Sequence, residues 1–253
     1  MPPSAHWWSR IVCLGSRSLA LINSTPIIAD RPVADVSRAV VMEFADAGSL
    51  DDVIRRSMGI TAKGVPEREL GSITLQMLYG LMYLHREMKQ VHRDLKPANC
   101  MLTRKGCVKL SDFGISKQLE ATSALASTQC GTTQYMSPER LAGDNYSFVS
   151  DVWSVGVVVL EALLGRSPYP SANSFMTLMA AICDAEPPKV PDAYAPSLQD
   201  FVAQCLRKNA AARPTVQALI QSAWLQEHTS SDAGASQLGP WLEQLLAGPV
   251  PVG

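Results

Sequence analysis

The chain has 253 residues, with 22 Lys and Arg against 23 Asp and Glu, and a formal net charge of −1. This length suits one large domain or two small ones, and the balanced charge argues against nucleic acid or an anionic membrane surface as the partner. The six cysteines form no Cys-x-x-Cys pair and no apolar run is long enough to cross a membrane, so we expect a cytoplasmic protein with free thiols.

The first 39 residues differ in composition from the rest of the chain. They contain no lysine, their only glycine is Gly15, and no acidic residue precedes Asp30. A transit peptide has a similar bias, but the simpler interpretation is a disordered or wrongly assigned segment. We therefore expect the folded domain to begin at residue 40.

The first predicted elements are a strand and two helices. Residues 40–46, VVMEFAD, predict a buried strand that ends in a turn, and residues 47–51 open a helix. A second helix begins at Pro66, which is followed by acidic residues in the first turn, and apolar residues recur at helical spacing up to His85. This apolar stripe indicates core packing.

Four polar side chains with complementary chemistry follow within nineteen positions. Asp94 can accept the proton of an attacking hydroxyl, and Lys96 can neutralise a phosphoryl group in transfer. Asn99 and Asp112 carry hard oxygen atoms, the ligands that Mg²⁺ prefers. The set suits magnesium-dependent phosphoryl transfer.

The sequence between these residues predicts a small β-hairpin. Residues 100–102 and 108–110 are short apolar runs, and the polar, glycine-containing turn 103–106 separates them. A hairpin would return Asn99 and Asp112 to the same end, where both could reach one metal site.

The second half of the chain predicts a polar loop and a set of helices. Residues 115–139 are small and polar in the middle, which is typical of a mobile loop. Residues 150–165 are apolar nearly all round, which predicts a buried central helix, and Asp151 at its start needs partners in the core. Further amphipathic helices are predicted over residues 173–183, 197–206 and 215–224.

Two of these segments resemble motifs of a known family. HRDLKPAN at residues 92–99 and DFG at residues 112–114 resemble the catalytic loop and the magnesium loop of eukaryotic protein kinases. In that family a lysine at the place of Lys96 marks the Ser/Thr type. The resemblance implies an α+β, protein-kinase-like fold over residues 40–228, with a mostly helical C-lobe, a small hairpin, and only the last strand and hinge of the N-lobe. It also implies ATP and Mg²⁺ as cofactors.

The resemblance implies a role for each of several residues. Asp94, Lys96 and Thr132 are expected to be catalytic, Asn99 and Asp112 to bind metal, and Met42, Glu43, Ala45, Ser49, Met101 and Ser111 to contact the nucleotide. Residues 115–139 correspond to the activation segment, a name kept below. Structural roles are expected for Arg93, for Glu139 as the partner of Arg213, and for Asp151 as the residue that holds the backbone of the catalytic loop.

The amino-acid sequences of several segments resemble those of one subfamily, the mitogen-activated protein kinase kinases. The segments are GSLD at 48–51, GISK at 114–117, YMSPERL at 135–141, SDVWSVG at 150–156 and LGRSPYP at 164–170. The resemblance implies a mitogen-activated protein kinase as substrate, an upstream activating kinase, and phosphorylation at Thr122 and Thr128. We expect residues 229–253 to be a flexible tail, whose GPWL at 239–242 is similar to a docking segment of these enzymes.

One part of the kinase pattern is not recognised in the sequence. A glycine-rich loop, a strand lysine and its glutamate partner would precede Val40, but the first glutamate is Glu43. We therefore expect an N-lobe-truncated kinase with little activity of its own. The alternative is a non-catalytic scaffold that docks kinases, although a scaffold has no physical need for all four catalytic and metal-binding side chains.

Overall fold

The computed structural model describes residues 43–112, 130–144, 146–229 and 233–248. Within these ranges the fold is α+β and protein-kinase-like, and it is mostly helical with one small antiparallel sheet. Of the predicted buried strand 40–46, residues 40–42, with Met42, lie outside the described residues, and residues 43–46 do not form a strand. The predicted phosphorylation sites Thr122 and Thr128 also lie outside the described residues. No helix in the described part of the chain has the length and apolar character needed to cross a membrane.

The sheet contains three short strands in the order β1-β2-β3. These are β1 (Gly48–Ser49), β2 (Cys100–Leu102) and β3 (Val108–Leu110). Cys100 pairs with Leu110 and Leu102 pairs with Val108, which confirms the predicted hairpin and its boundaries. The sequence analysis did not predict β1, because two residues are too short for a strand pattern.

Two helices, α1 and α2, pack against the sheet. Helix α1 (Leu50–Thr61) begins at Ser49, whose hydroxyl accepts a hydrogen bond from Asp52 N while the Asp52 carboxylate accepts from Ser49 N in a capping box. Helix α2 (Glu67–Arg86) confirms the predicted helix, and its apolar stripe is buried.

The central helix α5 (Phe148–Leu164) confirms the buried helix that the sequence predicts. It begins two residues earlier than predicted because Ser147 and Ser150 form a capping box at its N-terminus. It ends at Gly165, which adopts φ 69° and lies against the Met58 side chain of α1. This left-handed backbone conformation favours glycine at the end of α5.

The remaining helices surround α5 and α2. They are α3 (Cys130–Thr133), α4 (Pro138–Leu141), α6 (Phe175–Cys183), α7 (Pro196–Cys205), α8 (Val216–Ile220), α9 (Ala223–Thr229) and α10 (Ala233–Ala247), with 3-10 turns at Pro97–Asn99 and Ala210–Ala212. The prediction of one helix over residues 215–224 is wrong, because α8 ends before Gln221. Gln226 Nε2 donates to the Ile220 carbonyl at the break, and α9 then buries Trp224 completely.

The C-terminal segment was expected to be flexible, but the structure has helix α10 packed on α1, α2 and α9. Leu238 and Leu242 are 1% and 0% exposed. Arg56 on α1 also binds the end of α10, since its guanidinium donates to three backbone carbonyls. The acceptors are the carbonyls of Leu245 at 2.8 Å, Leu246 at 2.6 Å and Gly248 at 2.7 Å. Apolar burial and this charged cap both hold α10 against the rest of the domain.

Candidate active site

The structure brings Asp94, Lys96, Asn99 and Thr132 together. Lys96 Nζ lies 2.9 Å from Asp94 Oδ2 and 3.5 Å from Thr132 Oγ1. Asn99 Nδ2 donates to the same Asp94 Oδ2 at 3.0 Å and to the Asp94 carbonyl at 2.7 Å. The contacts of the described residues therefore fall on one carboxylate oxygen, and Oδ1 of Asp94 remains available to a substrate.

The loop that carries Asp94 is held by a buried carboxylate on α5. Asp151 is fully buried, and it accepts hydrogen bonds from His92 N at 2.8 Å and from Arg93 N at 3.0 Å. The Asp151 side chain thus binds two backbone N–H groups of the loop, the contact that the resemblance implies. His85 Nε2 lies 2.7 Å from Asp151 Oδ2, a contact that the sequence analysis missed because His85 only ended an apolar stripe.

His92 is enclosed beside three carboxylates. Burial holds the pKa of His92 below its usual range, although the charges of Asp151, Asp94 and Asp112 act in the opposite direction. The ring is therefore neutral near pH 7, and it contributes packing beneath the loop rather than a positive charge.

The hairpin returns the two predicted metal ligands to one end of the sheet. Ser111 N donates to the Asn99 carbonyl at 2.9 Å, and Asp112 follows immediately, exposed and in a left-handed conformation with φ 58°. The two hydrogen bonds of the Asn99 side chain both use its nitrogen, which leaves the amide oxygen to act as a metal ligand.

This donor set fits Mg²⁺ together with a nucleotide. The described residues contain no group of three or more His, Cys, Asp or Glu side chains that could hold a metal alone. Mg²⁺ usually binds through one or two carboxylates and completes its coordination with substrate phosphates and water. One amide oxygen from Asn99 and one carboxylate from Asp112 match this usual coordination of Mg²⁺.

The end of the activation segment is anchored by a buried ion pair, as the sequence predicts. Arg213 Nη1 and Nη2 donate to the two oxygens of Glu139 at 2.7 and 2.6 Å, and Ser150 Oγ donates to Oε1 at 2.8 Å. The Arg213 side chain is 0% exposed. Burial raises the pKa of Glu139, but the hydrogen bonds from Arg213, the backbone and Ser137, together with the charge of Arg213, outweigh burial and hold this pKa below its usual value.

The described residues predicted to contact the nucleotide lie in the three-stranded sheet or next to it in sequence. Glu43 forms an ion pair with Lys109 on β3, and the Ala45 carbonyl accepts a hydrogen bond from Gly48 N at 3.1 Å. Ser49 caps α1, and Met101 is half-buried on β2. Their contacts with a nucleotide stay predictions, as does that of Ser111.

Comparisons with known proteins agree with this geometry. A model of the protein kinase domain matches residues 20–225. Mitogen-activated protein kinase kinase 2 of Arabidopsis thaliana is 38% identical over 200 residues, which are 76% of this chain and 54% of that protein. Mitogen-activated protein kinase kinase 1c of Physcomitrium patens is 38% identical over 207 residues, 79% of this chain and 58% of that protein. MAP kinase kinase skh1/pek1 of Schizosaccharomyces pombe is 38% identical over 203 residues, 76% of this chain and 54% of that protein. The chain thus spans about half the length of the curated relatives it matches.

Proposed function

The chain belongs to the protein kinase family, and from this premise we propose that it transfers the γ-phosphate of ATP to a serine, threonine or tyrosine hydroxyl of a protein. We further propose that the substrate is a mitogen-activated protein kinase in the cytoplasm. The similarity to mitogen-activated protein kinase kinases supports this substrate class.

In the proposed reaction Asp94 receives the proton of the substrate hydroxyl. Lys96 and Asn99 both bind Oδ2 of its carboxylate, which leaves Oδ1 to accept a hydrogen bond from the substrate hydroxyl. As the hydroxyl oxygen bonds to the γ-phosphorus, the bond between that phosphorus and the β–γ bridging oxygen breaks, and the proton moves to Asp94. This arrangement on Oδ2 is the observation that carries the proposal.

Lys96 and Thr132 are proposed to hold the transferred group and the substrate. Lys96 Nζ lies between the Asp94 carboxylate and Thr132 Oγ1, so its charge can reach the phosphoryl oxygens. Thr132 belongs to the end of the activation segment, and its hydroxyl can contact a substrate chain that lies along this segment.

Asn99 and Asp112 are proposed to hold Mg²⁺, which neutralises charge on the phosphates when it is bound. Asn99 is fixed by its two hydrogen bonds to Asp94, so metal ligand and catalytic base keep one relative orientation. Met42, Glu43, Ala45, Ser49, Met101 and Ser111 are proposed to contact the rest of the nucleotide.

An upstream kinase is proposed to switch the activity through Thr122 and Thr128. Each phosphate would add a charge of about −1.5 to −2 to a segment of small residues. Arg93 precedes Asp94 and carries a guanidinium that can bind a phosphate through two hydrogen bonds.

The proposal is tested by incubating the 253-residue chain with Mg-ATP and a mitogen-activated protein kinase whose own catalysis has been removed by mutation. Mass spectrometry then identifies the phosphorylated residues. We expect slow but specific phosphorylation of the activation segment of that substrate, and much less of casein. Tight binding of the substrate kinase without any phosphate transfer would refute the enzyme and favour the scaffold.

A further inference from the structure

Two side chains that were given no role from the sequence, Arg140 and Tyr146, hold the carbonyl group that precedes Asp94. Arg140 Nη1 donates to the Arg93 carbonyl oxygen at 2.7 Å, and the Tyr146 hydroxyl donates to it at 2.9 Å. Arg140 Nη1 also donates to the Tyr146 hydroxyl oxygen at 3.0 Å. The three groups therefore form a closed triangle of hydrogen bonds, and one of its members is charged.

The aromatic ring of Tyr146 adds a second kind of contact to this triangle. The guanidinium carbon of Arg140 lies 4.7 Å from the ring centroid, and that of Arg93 lies 5.8 Å from it. Both distances are within the range of cation–π attraction. Burial raises the pKa of the Tyr146 hydroxyl, so it stays protonated and acts as a donor near neutral pH.

Arg93 is the point where the backbone of the catalytic loop is strained. Its φ is +73°, in the left-handed region that residues with a Cβ atom rarely adopt. Such a conformation persists only when surrounding contacts fix it. Asp151 binds the N–H of Arg93 at 3.0 Å, and Arg140 and Tyr146 bind its carbonyl, so both sides of the residue are held.

We propose that Arg140 and Tyr146 are positioning residues for the phosphoryl transfer. The carbonyl of Arg93 and the N–H and Cα of Asp94 belong to one planar peptide group, so fixing the carbonyl also places the Cα atom from which the Asp94 side chain extends. This inference rests on the proposed function, because it assigns these residues to the reaction of Asp94.

The hydrogen bond from Arg140 to the Arg93 carbonyl also links the catalytic loop to the end of the activation segment. Arg140 lies on α4 directly after Glu139, which Arg213 anchors. The Arg140 side chain therefore joins the end of the activation segment to the residue before Asp94. A shift of α4 withdraws a charged donor from the Arg93 carbonyl, and the strained loop relaxes.

The experiment compares Tyr146→Phe, which removes one hydroxyl and keeps the ring, with Tyr194→Phe as the matched control. Tyr194 makes its hydrogen bonds in the described part of the chain through backbone atoms. We expect Tyr146→Phe to lower kcat by about 10-fold with an unchanged KM for ATP, because a small misplacement of a catalytic group slows the chemical step. Tyr194→Phe is expected to match the wild-type chain.

Arg140 is tested through the pair Arg140→Lys and Arg140→Met. Lysine keeps a charged donor, so we expect Arg140→Lys to retain more activity than Arg140→Met. The double variant Tyr146→Phe with Arg140→Met is expected to lose less than the product of the single losses, because both donors serve one carbonyl. If the double variant loses as much activity as the product of the two single losses, Arg140 and Tyr146 do not act on the same carbonyl, and the proposal is wrong.

A readout without catalysis separates this inference from the proposed function. Amide hydrogen exchange over residues 91–96 in the nucleotide-free chain is expected to be several-fold faster in Tyr146→Phe than in Tyr194→Phe. A wild-type chain that transfers no phosphate would refute the proposed function. Equal exchange in the two variants would refute the idea that the Tyr146 hydroxyl holds the loop. Faster exchange in Tyr146→Phe with an unchanged kcat would refute its role in positioning Asp94.

Discussion

Arg213 and Glu139 lie 74 residues apart in sequence and share two hydrogen bonds of 2.7 and 2.6 Å in the core of the helical domain. The guanidinium also donates to the Val149 carbonyl at 3.1 Å, at the start of α5. This pair therefore joins the end of the activation segment to the central helix that carries Asp151. The catalytic loop and the end of the activation segment are therefore held by the same helix.

Removing one partner of this pair is expected to be costly. Arg213→Leu leaves Glu139 without its charged partner in a largely buried site, and we expect the free energy of unfolding to fall by about 3–5 kcal/mol. Arg55→Leu, whose side chain is 68% exposed, is the control and should cost less than about 1 kcal/mol. Urea titrations measure both, and a loss for Arg213→Leu no larger than the control's would contradict the account.

The same pair predicts a pH dependence. The pKa of Glu139 is lower in the folded chain than its usual value of 4.5, so the pair stabilises the fold above that pH and ceases to do so as the pH falls through the folded pKa. The difference in stability between wild type and Glu139→Gln should therefore shrink below pH 4.5. Glu87→Gln, at an exposed position, should differ little from wild type at either pH. A constant difference for Glu139→Gln across this range would contradict the assignment.

Arg56 is expected to fix the C-terminal helix. Arg56→Leu removes three hydrogen bonds to the carbonyls at the end of α10, and we expect a loss of about 1.5–3 kcal/mol and faster amide exchange over residues 238–248. Arg55→Leu changes the neighbouring residue of the same helix, whose side chain pairs with Asp51 and Asp52, and leaves α10 intact. Equal exchange in the two variants would show that apolar packing alone holds α10.

Activation is expected to depend on two threonines. Thr122→Ala combined with Thr128→Ala should abolish the rise in phosphotransfer that an upstream kinase produces, and acidic substitutions at both positions should restore part of it. Ser123→Ala combined with Ser127→Ala removes two hydroxyls from the same segment and is the control. Normal activation of the double threonine variant would place the switch elsewhere.

Local patterns were enough to predict the elements whose partners lie nearby in sequence. The hairpin of β2 and β3 follows from two apolar runs and a glycine-containing turn, and α2 and α5 follow from their apolar residues. The break between α8 and α9 could not be predicted, because the apolar residues continue across it. Packing of Trp224 against Phe201, with ring centroids 4.8 Å apart, places the two helices separately.

The residues of the candidate site also fall into those that the sequence predicts and those that only the structure shows. Asp94, Lys96, Asn99 and Asp112 were found because the reaction requires those side chains and a hairpin joins them. Among the residues that orient the loop, Asp151 was expected from the resemblance, but the roles of His85, Arg140 and Tyr146 were not, because their partners are distant in sequence. His85 is 66 residues from Asp151 in sequence, and Arg140 and Tyr146 are 47 and 53 residues from Arg93. Such contacts follow from packing, which the sequence does not display.

The central claim is that Asp94 is the proton acceptor of a phosphoryl transfer. The most direct test is the rate of phosphate transfer from Mg-ATP to the substrate kinase at saturating enzyme, for wild type, Asp94→Asn and the exposed control Asp144→Asn. We expect slow transfer by wild type and Asp144→Asn, and a rate about 10²–10⁴-fold lower for Asp94→Asn, because the amide cannot accept the proton. Equal rates for Asp94→Asn and wild type would contradict the account.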